Sequence, residues 1–339
     1  MSKRETLTLE AVEALVLRTL EINRASTEQS AAVARTVRAA ERDGSESHGL
    51  FRVPGYVASL RSGKVDGQAR PTLSQPAPAV LAVDAGRGFA PLAVELGVPA
   101  LIARARETGV AALAIRHCFH FAALWPEVER IGEAGLVGLA VTAATPMVAP
   151  AGGTTPFFGT NPIAFAFPRG EGPPMAFDMA TAAMARGDIM IHARDGKLLP
   201  PGVGLGPDGK ASTDPEAVLA GAQLPFGGYK GALLAMMVEL LAGAVAGDLF
   251  SYEAGKKGPE DGGPPEGGEL LLAIDPGAFG HGTAWQARSE AFFAALAAIE
   301  GTRLPGDRRH ANRSSAAETG VLVPAKLLEV IRGLADGGP

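Results

Sequence analysis

The segment Gly202-Val203-Gly204-Leu205-Gly206-Pro207-Asp208-Gly209 sets three glycines at alternate positions. Glycines so spaced bring to mind the dinucleotide fingerprint, in which a strand ends on a tight turn and a helix opens beneath a pyrophosphate. Here the third glycine runs straight into Pro207-Asp208-Gly209, a turn sequence, where the fingerprint needs a helix. A Rossmann site is not expected, and the rest of the chain must be read for another architecture.

Short apolar runs bounded by Gly, Pro or Asp lie on both sides of this segment. They are Val80 to Val83, Val110 to Ile115, Leu136 to Val141, Ile163 to Phe167, Met175 to Met179 and Leu270 to Ile274, all strand candidates. Helical stretches are expected between them at Pro91 to Thr108 and Ala122 to Ala134. At the start, Leu9, Val12, Val16 and Leu20 repeat at helical spacing, and Ser26 with Gln29 reads as a capping box for a second helix. A third apolar segment, Leu50 to Leu60, is interrupted by Pro54, which calls for a kink or a restart. A final pair spans Ala284 to Glu300 and Pro324 to Leu334. The fold class is mixed α/β of the α+β kind, with helices at both chain ends. Ala254 to Gly268, almost wholly Gly, Pro, Lys, Glu and Asp, reads as an exposed loop.

A chain of 339 residues, 47% hydrophobic and 20% charged, can bury a substantial core. Its net charge of -5 comes from interspersed acids and bases, so neither nucleic acid nor an anionic membrane is an expected partner. Cys118 is the only cysteine, which suits a reducing compartment and points to the cytoplasm. Met1 to Thr8 lacks the apolar core of a secretory signal. Gly231 to Gly247 contains Glu239 and falls short of the roughly 20 residues of a membrane span, so a buried helix is expected there. Walker A, His-Glu-x-x-His, Cys-x-x-Cys and Gly-x-Ser-x-Gly patterns are all missing.

Several polar clusters could carry chemistry. Ser47-His48 is followed by Arg52, which one helical turn would put on the face of His48. Histidine delivers a proton near neutral pH, and arginine grips a carboxylate through two parallel hydrogen bonds. The same residues also read as an N-cap with surface side chains. His117-Cys118-Phe119-His120-Phe121 ends an apolar run, and its two histidines lack a third ligand type nearby, so no metal is expected. Pro150 to Gly153 and Phe158-Gly159-Thr160-Asn161-Pro162 are turn clusters that let backbone approach a ligand. Gly228-Tyr229-Lys230 precedes an apolar helix and could attract an anion or simply cap it. Either Asp178 or Asp188 could orient a histidine, and spacing does not choose between them.

Taken in order, Glu46-Ser47-His48-Gly49 with Arg52 and Tyr56, His120-Phe121-Ala122-Ala123-Leu124-Trp125, Gly159-Thr160-Asn161-Pro162-Ile163-Ala164, Asp178-Met179-Ala180-Thr181 and Pro225-Phe226-Gly227-Gly228-Tyr229-Lys230-Gly231 span nearly the whole chain. This set resembles the type 2 malate/L-lactate dehydrogenase family of NAD(P)-dependent oxidoreductases, unrelated in fold to the Rossmann malate and lactate dehydrogenases. The His120 to Trp125 motif is similar to the branch of Δ1-piperideine-2-carboxylate/Δ1-pyrroline-2-carboxylate reductases, whereas many dehydrogenases of the family have Gly at its third position.

The resemblance implies a mainly antiparallel sheet as the cofactor domain (residues 76–283) and a helical substrate and dimer domain built from residues 1–75 and 284–339. It implies a homodimer with its site between domains. It implies NADPH, with NADH as an alternative, reducing a cyclic imino acid to L-pipecolate or L-proline. The other readings are a dehydrogenase of malate- or lactate-type 2-hydroxy acids and a catalytically silent ligand-binding homologue. By resemblance, Ser47, His48 and Asp188 form the catalytic relay with His48 as proton donor, while Arg52 and Thr160 hold substrate. His120, Phe121, Ala122, Ala123, Leu124, Asp178, Met179, Ala180, Gly228, Tyr229 and Lys230 would contact the cofactor. Arg308 and Arg309, in the turn Pro305 to Arg309, would favour the 2′-phosphate of NADPH.

Overall fold

The computed structural model describes residues 3–120, 122–256 and 261–338. Its strands, in chain order, are β1 (Arg4–Leu7), β2 (Thr72–Ala77), β3 (Val80–Asp84), β4 (Val110–Phe119), β5 (Val137–Thr142), β6 (Ile163–Phe167), β7 (Met175–Met179), β8 (Gly204–Leu205), β9 (Ala211–Ser212), β10 (Ala222–Gln223), β11 (Glu266–Ile274) and β12 (Val321–Pro324). Seven of them form one sheet in the order β2-β3-β4-β11-β5-β6-β7. Only β3 and β4 run parallel, and the crossover helix Ala90–Thr108 connects them. The sheet is therefore mainly antiparallel, as expected, and each of the six strand candidates lies in it.

β11 occupies the middle of the sheet, so nearly every residue in it is buried. One face carries Leu113, Ile115, Leu271 and Ala273 against Val94, Val98 and Leu101 of the crossover helix and Val128 and Ile131 of helix Trp125–Glu133. A second core joins the chain ends. Val12, Val16 and Leu20 from helix Leu9–Ile22, and Val33 and Val37 from Thr27–Arg42, pack with Leu328 and Ile331 of helix Ala325–Ala335. Antiparallel β1–β12, paired from Arg4 with Pro324 to Leu7 with Val321, ties the same ends through backbone. Helix Ala284–Ala297 lies elsewhere: its Trp285 and Phe293 meet Phe167 of β6 edge-on.

The segment Gly202 to Gly209 is a hairpin, as its turn residues demand. β8 pairs with β9, and Gly206 N donates to Lys210 O at 2.8 Å. Five expectations need correction. A strand, β1, precedes the first helix. The Ser26 hydroxyl accepts from Gln29 N at 3.2 Å, yet the Gln29 side chain does not complete the capping box; it bonds to Ala69 O and Phe89 N, joining the helix to the sheet domain. Pro305 to Arg309 is no simple turn, because helix Asp307–Thr319 begins within it.

The polar stretch Ala254 to Gly268 is not wholly an exposed loop. Glu266 to Gly268 are buried in β11, and Asp261 accepts from Ser59, Ser62 and Lys64 at 2.8, 3.0 and 3.1 Å; residues 257–260 lie outside the described residues. The apolar stretch from Gly231 runs as α-helix Tyr229–Val238 and then as π-helix Glu239–Val245, and it leaves Leu233, Met236, Leu240 and Val245 exposed instead of buried. Among the described residues no helix is long and apolar enough to cross a membrane.

Asp43, at the C-terminal end of helix Thr27–Arg42, joins both cores. Arg313 grips its carboxylate with Nε at 2.8 Å and Nη2 at 2.7 Å, Arg42 adds a bond of 2.7 Å, and the Trp125 indole donates at 2.9 Å. Burial raises the Asp43 pKa, but the two guanidinium groups outweigh it and hold the carboxyl below its usual range. Arg313→Ala is expected to cost about 3 kcal/mol, since it strips a buried carboxylate of its bidentate partner. The measurement is the urea midpoint of both proteins across pH. Because the folded pKa is depressed, the difference should be complete above about pH 4 and fade as pH falls through the folded value. An unchanged midpoint at neutral pH would show that the pair does not brace the fold.

Candidate functional site

A cleft of about 1360 Å3 opens between the sheet and the end-derived helices. This exceeds the roughly 300–1,000 Å3 of a pocket for one drug-sized ligand. Its walls include Ser47, His48, Arg52, His120, Ala122, Ala123, Leu124, Thr160, Asp178, Met179, Ala180, Asp188, Arg308 and Arg309. Residues remote in sequence therefore converge on one space. Gly228, Tyr229 and Lys230 are not among the lining residues; they are exposed at the start of helix Tyr229–Val238, and Phe226 is the member of that motif that faces the cleft. Phe121 lies outside the described residues.

Ser47, His48 and Arg52 do not sit on an α-helix. Two 3-10 turns, Glu46–His48 and Leu50–Arg52, precede helix Val53–Arg61, where Pro54 occupies the first turn. Arg52 folds back so that its Nε donates to Ser47 O at 2.6 Å. Glycine at 187 lets the chain close over this bend, because a Cβ there would lie 2.6 Å from Arg52 Nη2 and 3.0 Å from Ser47 Cβ. Gly187 is thus a site residue that carried no sequence signal of its own.

His48 Nδ1 lies 3.1 Å from Ser47 Oγ and 3.4 Å from Ser45 Oγ. Burial, then the charges of Arg52 and His120, lower its pKa to about 3, so the imidazole is neutral at physiological pH. Burial also lowers Arg52 to about 10, with Tyr56 and Asp188 opposing the shift, so the guanidinium keeps its charge. Asp188 stands in the first turn of helix Arg186–Asp195 with its side chain open to the cleft. Among the described residues no hydrogen bond joins it to His48.

Thr160 is fixed through its backbone: its carbonyl accepts from Thr181 N at 2.9 Å and from the Thr181 hydroxyl at 3.0 Å. The next residue, Asn161, takes a left-handed φ of 42° and donates to Glu239 at 2.8 Å. Glu239 begins the π-helix, the kind of helical irregularity often found at sites, and also accepts from Ser251 N at 2.8 Å. It is a second residue that the motifs did not single out.

At the other end of the cleft Asp178 accepts from Leu124 N at 3.2 Å and lies 3.5 Å from Arg309. Arg309 spreads its guanidinium 4.5 Å over the Trp125 ring, and its Nη1 is buried without a partner. With Arg303 and Arg308 beside it on the cleft wall, this donor suits an anionic group such as a nucleotide phosphate. His120 has no third ligand type near it along the chain, but the fold supplies two carboxylates: Glu127 lies 3.2 Å from its Nε2 and Glu269 lies 3.9 Å away. Antiparallel pairing of β4 with β11 brings Glu269 there from far along the chain.

The geometry can therefore hold a carboxylate beside a histidine and a phosphate beside an arginine cluster, within one cleft. The chain is 50% identical, over the full length of both proteins, to the Δ1-pyrroline-2-carboxylate reductase of Ancylobacter novellus. It is 48% identical to the Δ1-pyrroline-2-carboxylate/Δ1-piperideine-2-carboxylate reductase of Pseudomonas aeruginosa, covering 95% of this chain and 96% of that one. The crystal structure of Δ1-piperideine-2-carboxylate reductase from Pseudomonas syringae pv. tomato superimposes with a TM-score of 0.92 at 44% identity, over 97% of this chain and 99% of that one. Residues 7–332 match the model of the malate/L-lactate dehydrogenase family. With a mainly antiparallel sheet in place of a Rossmann fold, and a single cleft that gathers motifs from most of its length, the chain belongs to the malate/L-lactate dehydrogenase family of oxidoreductases.

Proposed function

We propose that this enzyme uses NADPH to reduce a cyclic imino acid, Δ1-pyrroline-2-carboxylate or Δ1-piperideine-2-carboxylate, to L-proline or L-pipecolate. The observation that carries the reading is a buried, charged Arg52 held beside a neutral His48 in one cleft, in a chain half identical to a reductase of that name. When bound, the nicotinamide supplies a hydride to the substrate carbon. All other parts of the reaction fall to the protein's own side chains.

Arg52 binds the substrate carboxylate, and Thr160 lines the same pocket. The incoming carboxylate neutralises the Arg52 charge, which adds to burial in keeping His48 unprotonated. The imidazole therefore gains its proton in the complex and passes it to the ring nitrogen. Ser47 orients the ring through Nδ1, and Asp188 offsets the cationic imidazolium across the cleft. His120, Ala122 to Leu124 and Asp178 to Ala180 serve the cofactor, with Phe226 of the Pro225 to Gly231 motif on the same cleft wall. Arg308 and Arg309 meet its 2′-phosphate, which sets the preference for NADPH. The setting is the cytoplasm, where the buried Cys118 stays reduced. The active form is a homodimer, and a partner would cover apolar side chains such as Leu233, Met236 and Leu240 that the single chain leaves exposed.

Three outcomes follow. His48→Gln should lower turnover of Δ1-pyrroline-2-carboxylate by about 10²–10⁴-fold with NADPH binding retained, as read by quenching of protein fluorescence. In ligand-free wild-type protein, NMR should find the His48 ring neutral from pH 8 down to about pH 5; an imidazolium at pH 7 would contradict the burial argument. Arg308→Ala should weaken NADPH by about tenfold, or 1.4 kcal/mol, while leaving NADH nearly unchanged. Equal losses for both coenzymes would remove the 2′-phosphate assignment.

A further inference from the structure

Glu127 and Glu269 meet behind His120, which lines the cleft, and among the described residues His120 is the basic side chain in direct contact with them. Glu269 has no exposed surface, and among the described residues no N–H or hydroxyl group donates to its oxygens or to the buried Glu127 Oε2, so the two carboxyls bear chiefly on each other. Atoms of both carboxylates and of His120 lie within 4.8 Å of one another. A β-bulge between Gly267 and Glu269 accompanies this meeting, and bulges re-aim side chains. Glu269 then shares the parity of Leu271 and Ala273, on the face that helix Trp125–Glu133 covers with Glu127.

Two carboxylates so close in a low-dielectric interior cannot both stay ionised. Burial pushes Glu127 up to about 7 and Glu269 well above its ordinary range, while it lowers His120 and leaves that ring neutral. The surroundings do not relieve the crowding. Arg130 is the cation that bears on Glu127, opposed by Asp178, and Asp248 and Glu266 add negative charge on the side of the Cys118 thiol. His120 opens to the cleft, close enough to His48 for a charge on one ring to depress the other.

We infer that Glu127 and Glu269 hold one proton between them and that His120 conducts it to the cleft, so that the pair is a proton reservoir for the reaction proposed above. In the step, an O–H bond of the pair breaks and an N–H bond forms at His120 Nε2. The proton on the other ring nitrogen leaves for water or for His48, which has just given up its own. No electrons change hands, and mutual repulsion of the two carboxylates draws a replacement proton from solvent. Glu127 and Glu269 are positioning residues that act through His120.

The test has two arms. Infrared difference spectra of ligand-free protein at pH 7 should show a protonated carboxyl band that is lost in Glu269→Gln and in Glu127→Gln alike, a readout independent of any substrate. Removing either like charge lets the remaining carboxyl ionise earlier, so the alkaline limb of kcat should move down by about one pH unit in both variants. Absence of the band, or a stoichiometric divalent cation in the purified protein, overturns proton sharing. A band that behaves as expected beside an unmoved pH profile overturns the conduction step. If the band is found and no imino acid is turned over, the reservoir stands and the substrate reading falls.

Discussion

Asp43 is a carboxylate with no exposed side-chain surface, and three parts of the chain bond to it: Arg42 beside it, Trp125 from the helix on the sheet, and Arg313 from the C-terminal region. A buried charge is tolerated only when its partners are complete, so those elements hold their relative positions or the fold loses them together. Ser45, Ser47 and His48 follow within one short turn, and Asp43 itself reaches the cleft wall. The pair that joins the two cores therefore also sets where the His48 ring stands.

Burial gives the cleft its chemistry. It keeps the His48 ring neutral, leaves Arg52 charged, and raises both Glu127 and Glu269 above the usual carboxylate range. The same low dielectric strengthens each interaction made there. Glycine lets the backbone close over Arg52 at Gly187, and the π-helix beginning at Glu239 holds the Asn161 turn beside the cleft.

Much of this was legible in the order of residues. Alternating and continuous apolar runs located the sheet, because each strand buries at least one face, and Pro207-Asp208-Gly209 ruled out a Rossmann helix because that turn cannot open one. The motifs around Ser47, His120, Thr160 and Asp178 pointed to walls of a single cleft. What stayed hidden depends on pairing across the chain. β1 and β12 are four residues each and make sense only together. Helix Asp307–Thr319 buries little beyond Ala316, so it shows no apolar period. Glu127 and Glu269 sit on separate elements, and no local spacing connects them. Gly228 to Lys230 had a glycine-rich helix start to recommend them, yet in this chain they face outward.

The proposed chemistry needs one cleft to pair a carboxylate clamp with a proton donor matched to a cyclic imine. The direct measurement is NADPH oxidation at saturating coenzyme with Δ1-pyrroline-2-carboxylate, Δ1-piperideine-2-carboxylate, pyruvate and oxaloacetate side by side. The account requires kcat/KM for at least one cyclic imine to exceed both oxo acids by about 10²-fold or more, close to 3 kcal/mol in the transition state. Oxo acids turned over as well as the imines, or in their place, would contradict it and leave a 2-hydroxy-acid dehydrogenase built on the same residues.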